Sequence, residues 1–315
     1  MKIALDAMGG DFAPDAIVEG AVMAAKELPA DAKVVLIGDQ ARLEAALRRV
    51  GAQPSPRLLI QHAAEVIEMG EHPTKALGQK PDSSIAVGYR LLKSGEVAAF
   101  CSAGNTGAMM VGALFSVKAL PGVKRPPIAG FIPKTNGGTG VIVDVGANAD
   151  CKPEMLEQFA EIGSIYAKYV LGIAEPRVAL LNIGEEEGKG TMDVQEAYNL
   201  LKVNPAVRFV GNIEGRDIFL DKCDVIVCDG FTGNVALKMA ESIYDIMVQR
   251  GLKDPYFDRY NYEAIGGSPI LGINGNVVIG HGVSSPLAAC NMVKLGYQMS
   301  AAGVLERFRR VYAAN

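Results

Sequence analysis

The stretch VAAFCSAGNTGAMMVGALFSV, residues 97–117, decides how this chain is read. It holds no charged residue and is long enough to imitate a membrane span. SAGNTG, at 102–107, interrupts it with turn-forming and polar residues. A buried strand, a turn and a buried helix opening at Thr106 account for it better.

The same alternation runs outward in both directions. KIALDA precedes a helical stretch from Pro14 to Leu28, with proline at a helix start, where its missing N–H costs nothing. KVVLIG precedes QARLEAALRRVG, whose Leu43, Ala46, Leu47 and Val50 share one helical face and whose Gly51 suits a C-cap. RLLIQHA is followed by a helix opened by the cap cluster Asp82-Ser83-Ser84. VIVDVG leads into PEMLEQFAEIGSIYAKYVLG, RVALLNIG into MDVQEAYNLLK, and DVIVCDG into GNVALKMAESIYDIMVQR. NVVIG leads into a final helix from about Ser285 to Tyr312.

Strands apolar on both faces and spaced by helices predict an α/β fold: a mainly parallel sheet with flanking helices, in α/β/α layers. Right-handed crossovers place every strand-to-helix loop on one edge of that sheet, where the ligands of such folds sit. The Pro/Gly-rich PGVKRPPIAGFIPKTNGGTG, residues 121–140, reads as a β-ribbon or hinge between two lobes. The whole chain, 1–315, is expected to be one catalytic unit. Its lobes are expected at about 1–125 plus the C-terminal helix 285–315, and at about 126–284.

Composition narrows the function. A net charge of -4 gives no bulk attraction to nucleic acid. The absence of tryptophan and 6% aromatic content argue against a carbohydrate cleft or a base-stacking surface. MKIALDAMGGD reaches acids and glycines too early to read as a secretory signal. The five cysteines make an odd number without a CxxC pair, so free thiols in a reducing cytoplasm are expected, and neither metal nor cofactor.

Glycines just after a strand let backbone N–H groups point at one centre, and the following helix adds its positive end, which suits an anion. SAGNTGA (102–108) and GFTGN (230–234) have this form, and VGANAD (145–150) is a third instance. Ser102, Gly104, Asn105, Thr106 and Gly107 in the first loop, with Thr232 and Gly233 in the second and Gly188 in EEEGKG, are candidate phosphate-binding residues. Tight-turn architecture is the plain alternative for each loop. FCSAGNTGAMM and VCDGFTGNVALK also echo one another. Neither GxxxxGKS/T nor GxGxxG occurs, so the usual nucleotide readings lack their signature.

RVALLNIG empties into EEEGKG, where Gly188 and Gly190 leave Lys189 unobstructed. One ammonium there supplies a point charge matched to a phosphate oxyanion, whereas the plain alternative is a surface loop with a self-neutralising charge run. His281, in IGHGVSS, sits at a strand end and is either a general acid or base or a hydrogen-bonded structural histidine. The adjacent Ser284 and Ser285 lack a G-x-S-x-G elbow, so a serine nucleophile is not expected.

With these residues in hand, the chain resembles the acyl-carrier-protein:phosphate acyltransferase family, PlsX. The matching stretches are MKIALDAMGGDFAPD, EVIEMGEHPTKAL with PDSS, SAGNTGA, VDVGAN, LLNIGEEEGKG, DGFTGNVALK and NVVIGHGVSS, in the family's order and across nearly the whole chain. The resemblance implies a fold like that of phosphate acetyltransferases and of isocitrate/isopropylmalate dehydrogenases. It implies an activity that makes acyl phosphate from acyl-carrier protein and inorganic phosphate for phospholipid synthesis. A homodimer with its site near the subunit interface, and handover of product to a membrane glycerol-3-phosphate acyltransferase, are also implied. Carried over by motif, the functional lysine falls on Lys189, the asparagine of FTGN on Asn234 and the histidine of HGxS on His281.

An apolar slot for the acyl chain is needed, and Met109, Met110, Leu114 and Phe115 either line it or pack a core. An acidic carrier would need a basic face, with Lys124, Arg125 and Lys134 or Arg307, Arg309 and Arg310 as candidates. GQKPDSS leaves only Lys75 and Lys80 where members often carry a basic run. The amphipathic insertion of many members is also short here, reduced to ESIYDIMVQRGLKDPYFDRYNYEAIGG. That argues for a cytoplasmic protein without strong peripheral membrane contact, although Tyr256, Phe257 and Tyr260 remain candidates for touching an interface. The alternatives are transfer from acyl-CoA, a decarboxylating dehydrogenase of the same fold, and a non-catalytic scaffold.

Overall fold

The computed structural model describes residues 1–312. Its strands, in chain order, are β1 (Lys2–Asp6), β2 (Lys33–Gly38), β3 (Leu58–His62), β4 (Ala99–Ser102), β5 (Ala129–Pro133), β6 (Thr139–Val143), β7 (Arg177–Asn182), β8 (Arg208–Glu214), β9 (Val225–Val227), β10 (Ser268–Ile270) and β11 (Asn276–Ile279). The chain divides into two units. One is Met1–Ala119 with Tyr262–Ala301, and the other is Leu120–Asn261 with the chain from Ala302 onward.

The first unit holds a sheet in the order β10-β11-β4-β1-β2-β3, parallel except for the β10–β11 pair. β1 and β4 are apolar and buried on both faces, as a strand covered by helices on each side must be. Helices Asp15–Glu27 and Pro286–Ala301 pack on each other, and Gly20 lies against Pro286 and Ala289, where a Cβ has no room. Helix Ser84–Ser94 contacts β1, β2 and β4 and is capped by Ser83, which accepts from the Ala86 N–H at 3.3 Å.

The second unit holds a sheet in the order β5-β6-β9-β7-β8, parallel except for β5–β6. Of residues 121–140, those from 129 onward belong to a β-ribbon, the β5–β6 hairpin at the edge of this sheet, which ends at Val143. Helix Pro153–Tyr169 contacts β6, β7, β9 and helix Met192–Val203. Helix Gly230–Gln249 contacts β6 and the short helical turn Phe257–Tyr260.

Several expectations change. The single final helix is two, Pro286–Ala301 and Val304–Tyr312, because Gly303 takes φ 63° and turns the chain between them. The first piece joins the first unit and the second piece packs on helix Pro153–Tyr169 in the second. The units therefore divide at 119/120, 261/262 and 301/302 rather than near 125 and 284. The hairpin β10–β11 is the reason for the middle boundary, since it completes the first sheet through β4. Residues 313–315, the end of the expected helix 285–315, lie outside the described residues.

Lys134 is not a docking residue. It is buried, and its ammonium joins Asp221 at 2.9 Å and also Asp224, which in turn takes Arg177 Nε at 3.0 Å. In the cluster Tyr256, Phe257 and Tyr260 the first two are half-buried. Tyr260 is buried, and both tyrosine hydroxyls donate to the Pro133 carbonyl at 3.2 Å. Among the described residues no helix is long and apolar enough to cross a membrane, and the 97–117 stretch is β4, a turn and helical turns, as its sequence requires. The five thiols are unbridged.

Candidate active site

Within the first unit, three loops leave the same edge of adjacent parallel strands: 7–11 after β1, 103–105 after β4 and 280–285 after β11. They are tied together by backbone. Gly280 N–H donates to the Ser102 carbonyl at 2.8 Å, and Asp11 N–H to the Gly282 carbonyl at 2.7 Å. The first two meet at Asp6, a carboxylate only 1% exposed. It accepts from the Ser102 hydroxyl at 2.7 Å and from the Met8 N–H at 3.0 Å. Burial raises the Asp6 carboxyl above its ordinary value, and hydrogen bonds from Ser84, Ser102, Met8 and Gly9 restrain the rise.

This hub decides what the candidate residues can do. The Ser102 hydroxyl donates to Asp6 and accepts from the Gly104 N–H at 3.0 Å, so it faces inward. Asn105 caps helix Thr106–Gly112, accepting from the Ala108 N–H at 2.9 Å. Its amide donates to the carbonyls of Glu68, Met69 and Glu71. Both side chains therefore shape the loop. The donors left open are the N–H groups of Thr106 and Gly107, which a helix start leaves without an intrahelical partner. Thr106 is exposed and Gly107 half-buried.

His281 stands on the 280–285 loop, half-buried, and its carbonyl accepts from Ser284 N–H at 3.0 Å and Ser284 Oγ at 2.5 Å. Ser284 is thus buried and structural, and Ser285 caps the next helix through the Ala288 N–H at 3.3 Å. Gly9 locks the junction. A Cβ there would lie 2.6 Å from Asp6 Oδ2 and 2.7 Å from the Gly104 nitrogen. Gly9→Ala is expected to cost ~1–3 kcal/mol, as overpacking does, read as a lower denaturant midpoint. An unchanged midpoint would show that the junction is slack.

The second unit repeats the device. β9 lies beside β6 as β4 lies beside β1, and Asp144 follows β6 as Asp6 ends β1. Asp144 is fully buried and accepts from the N–H groups of Ile128 (3.0 Å), Gly146 (3.2 Å), Ala147 (3.1 Å) and Asn148 (2.7 Å), and from the Asn148 amide (2.9 Å). Burial raises its carboxyl too, with these donors restraining the rise. The echo between FCSAGNTGAMM and VCDGFTGNVALK is therefore structural: each is a strand and helix start set against a buried aspartate.

GFTGN differs from the first loop in being closed. Asp229 caps helix Gly230–Gln249, accepting from both the N–H and the hydroxyl of Thr232 at 2.8 Å. Gly230 N–H donates to the Asn148 carbonyl at 2.7 Å, and Gly233 N–H donates to the Asp229 carbonyl at 3.0 Å. Thr232 and Gly233 thus position the helix, and their own donors are taken. Asn234, half-buried, gives one amide hydrogen to the Val145 carbonyl at 3.1 Å and has a second to offer.

Lys189 is exposed on the loop after β7, the neighbour of β9, so it shares an edge with GFTGN. The glutamates beside it serve other cations. Glu185 holds Lys222 at 2.6 Å and Glu187 holds Lys202 at 2.8 Å. Among the described residues no carboxylate closes an ion pair on Lys189. Its backbone is fixed, with the N–H on the Glu186 carbonyl at 3.1 Å and the carbonyl accepting from Asn182 Nδ2 at 3.0 Å. The self-neutralising charge run does not form: the loop presents an ammonium on an anchored stem.

Residues 1–307 match the family described as "Fatty acid synthesis protein". The chain is 45% identical to a phosphate acyltransferase of Dictyoglomus turgidum, over 95% of this chain and 94% of that one. It is 43% identical to another from Syntrophomonas wolfei, over 97% of both. This chain belongs to the phosphate acyltransferase family. Its fold is shared with a phosphotransacetylase from Streptococcus pyogenes (TM-score 0.66, 18% identity, 97% of this chain and 94% of that one). The EutD phosphotransacetylase from Staphylococcus aureus is similar (TM-score 0.65, 17% identity, 95% and 94%). The family resemblance and the fold expected from sequence both hold, and the chain is an acyltransferase of fatty acid and lipid synthesis.

Asp6 and Asp144 were not among the expected site residues. Their signal was an aspartate closing an apolar strand directly before small residues, in KIALDAMGG and VIVDVGAN. Of the other expectations, Met109 is fully buried core, Met110 and Leu114 are half-buried and Phe115 is exposed. Lys80 is engaged by Glu71 and by the Val66 carbonyl at 2.7 Å. Arg307 and Arg310 line a cavity with residues 174–176 and 205–208, which precede β7 and β8. They therefore lie at the strand ends opposite to Lys189.

Proposed function

We propose that this enzyme transfers a fatty acyl group from acyl-carrier protein to inorganic phosphate, giving acyl phosphate for phospholipid synthesis. The observation that carries the reading is Lys189: an anchored ammonium that no carboxylate among the described residues pairs with, in a chain related to phosphate acyltransferases. One phosphate oxygen attacks the thioester carbonyl carbon. The C–O bond forms, the C–S bond breaks and the thiolate leaves, so the protein needs no nucleophile of its own. Its buried thiols fit that scheme, since burial holds Cys101 and Cys228 far above the ordinary thiol range.

Catalysis is positioning and charge neutralisation. On the second unit Lys189 neutralises phosphate and Asn234 donates its second amide hydrogen to phosphate or to the developing oxyanion, and on the first unit the open Thr106 and Gly107 N–H groups are anion donors. Gly188 gives the lysine stem its freedom, while Ser102, Gly104, Asn105, Thr232 and Gly233 hold the loops in shape. His281 orients phosphate or protonates the departing thiolate. Lys124 and Arg125, both exposed, adjoin the segment whose Ile128 N–H is held by Asp144. They are the basic candidates on the loop edge for docking an acidic carrier. A homodimer that hands its product to a membrane glycerol-3-phosphate acyltransferase completes the reading.

The test supplies acyl-carrier-protein thioester or acyl-CoA together with phosphate, then measures free thiol and trapped acyl phosphate. Thiol release from the carrier protein is expected. Release from coenzyme A alone moves the donor assignment, and release from neither ends the proposal. His281→Ala is expected to lower kcat/KM roughly tenfold, the loss of one hydrogen bond to a charged group at ~1.5 kcal/mol. A flattened pH profile in that variant would select the proton-transfer role, and an unaltered profile the orienting one.

A further inference from the structure

Helix Gly230–Gln249 carries an apolar stripe at four-residue spacing, Phe231, Val235, Met239 and Ile243, each more than 40% exposed. Single surface apolar residues are ordinary, whereas a contiguous row calls for an occupant. The row forms one wall of a cleft of about 450 Å³, closed on the other side by Leu181 at the end of β7 and by Ile218 and Phe219. That volume suits a small-molecule site.

The polar groups of the cleft have a direction. Asn182 and Thr232 line it, and Thr232 stands at the N-terminal end of the helix while Ile243 stands three turns further on. Asn182 donates to the Lys189 carbonyl at 3.0 Å, and Thr232 lies two residues before Asn234. The polar end is thus continuous with the residues assigned to phosphate and thioester, and the apolar end leads away from them. From residue 231 to 243 the helix rises ~18 Å at ~1.5 Å per residue. One acyl chain of a membrane lipid spans ~15 Å, half of the ~30 Å hydrocarbon core. The cleft matches an amphiphile with an anionic head and a long aliphatic tail in length, polarity and volume.

We infer that this cleft holds the aliphatic tail of the acyl group while its carbonyl lies beside Lys189, and that it sets chain-length preference. The inference rests on the acyl-transfer reading above and names the tail-binding part of that site. Ala236, within the cleft and one turn past Thr232, is the position at which a larger side chain truncates it. Each methylene kept out of the cleft is worth roughly fourfold.

The experiment compares palmitoyl and butyryl thioesters, with phosphate, in wild type, Ala236→Phe and Met239→Glu. Met239 is 63% exposed, so the second variant is expected to fold if the first does not. The palmitoyl-to-butyryl ratio of kcat/KM is expected to fall at least ~10-fold in either variant. An equal loss for both donors overturns the inference. So does a change of oligomeric state by light scattering with an unaltered ratio, which would assign the face to a second copy of this chain. If wild type turns over neither donor, the acyl-transfer reading fails and a fluorescent long-chain fatty acid tests the cleft alone. At least tenfold weaker binding by Ala236→Phe then upholds the cleft as a tail site, and equal binding or none refutes it.

Discussion

Lys189→Ala is expected to lower turnover at least ~10²-fold, the usual effect of deleting one preorganised donor that stabilises developing charge, and to leave the unfolding transition in place. The two halves of this expectation have separate causes. Lys189 is exposed and makes no ion pair among the described residues, so the described fold does not depend on its ammonium. Its backbone, not its side chain, carries the loop's bonds to Glu186 and Asn182, and alanine keeps both. The loss should therefore appear in kinetics alone. Steady-state rates with saturating phosphate, read beside a denaturation curve, make the comparison. Lys189→Arg should recover part of the rate, because it returns the charge but spreads it over a plane longer than the ammonium it replaces. A normal rate in folded Lys189→Ala would remove the central residue from the scheme.

The loop was legible in sequence because its chemistry is local. A cation between glycines at a strand end requires no knowledge of distant residues, and the strand is marked by its apolar run. The parallel sheets were legible for the same reason: KIALD, KVVLIG and TGVIV are buried along nearly their full length and read as such. β8 was not, since RFVGNIE at the sheet edge alternates between exposed and covered positions and contains glycine and asparagine. The break at Gly303 was missed because the helical pattern on either side continues across it, and only packing on two different bodies shows the turn.

Side-chain direction was the least legible property. Ser102, Asn105 and Thr232 are the residue types a phosphate site uses, and their hydroxyls and amide could have faced a ligand. They face Asp6, the 68–71 carbonyls and Asp229 instead. Those partners lie up to 96 residues away in sequence, beyond any spacing rule. The buried aspartates follow the same logic. An aspartate at a strand end reads as a turn residue until the fold closes over it and donors from other segments converge on its oxygens.

Asp224→Ala is expected to destabilise the protein by ~3–5 kcal/mol, the cost of leaving a buried charge without its partner. Asp224 is 6% exposed and Lys134 4% exposed, so the ammonium abandoned by the change cannot reach bulk water. Arg177 loses three contacts as well, from its N–H at 2.8 Å, its Nε at 3.0 Å and its Nη2 at 3.1 Å. Asp221 remains, but it is half-exposed and holds both cations from the rim. Burial alone would raise the Asp224 carboxyl, yet hydrogen bonds from Arg177 and Lys134 outweigh it and hold the group well below the ordinary carboxylate range. The sign follows from linkage. A depressed carboxyl contributes stability that is complete above its unfolded value, ~4, and is lost as pH falls through the folded one. Wild type should therefore lose stability on acidification below about pH 4, and Asp224→Ala should lose less over that range. Replacing both partners, Lys134→Met with Asp224→Leu, should recover part of the loss, because an apolar pair needs no counter-charge. A single variant as stable as wild type at neutral pH would mean that Asp221 and water suffice for Lys134, and that the edge of the second sheet is not held by this network.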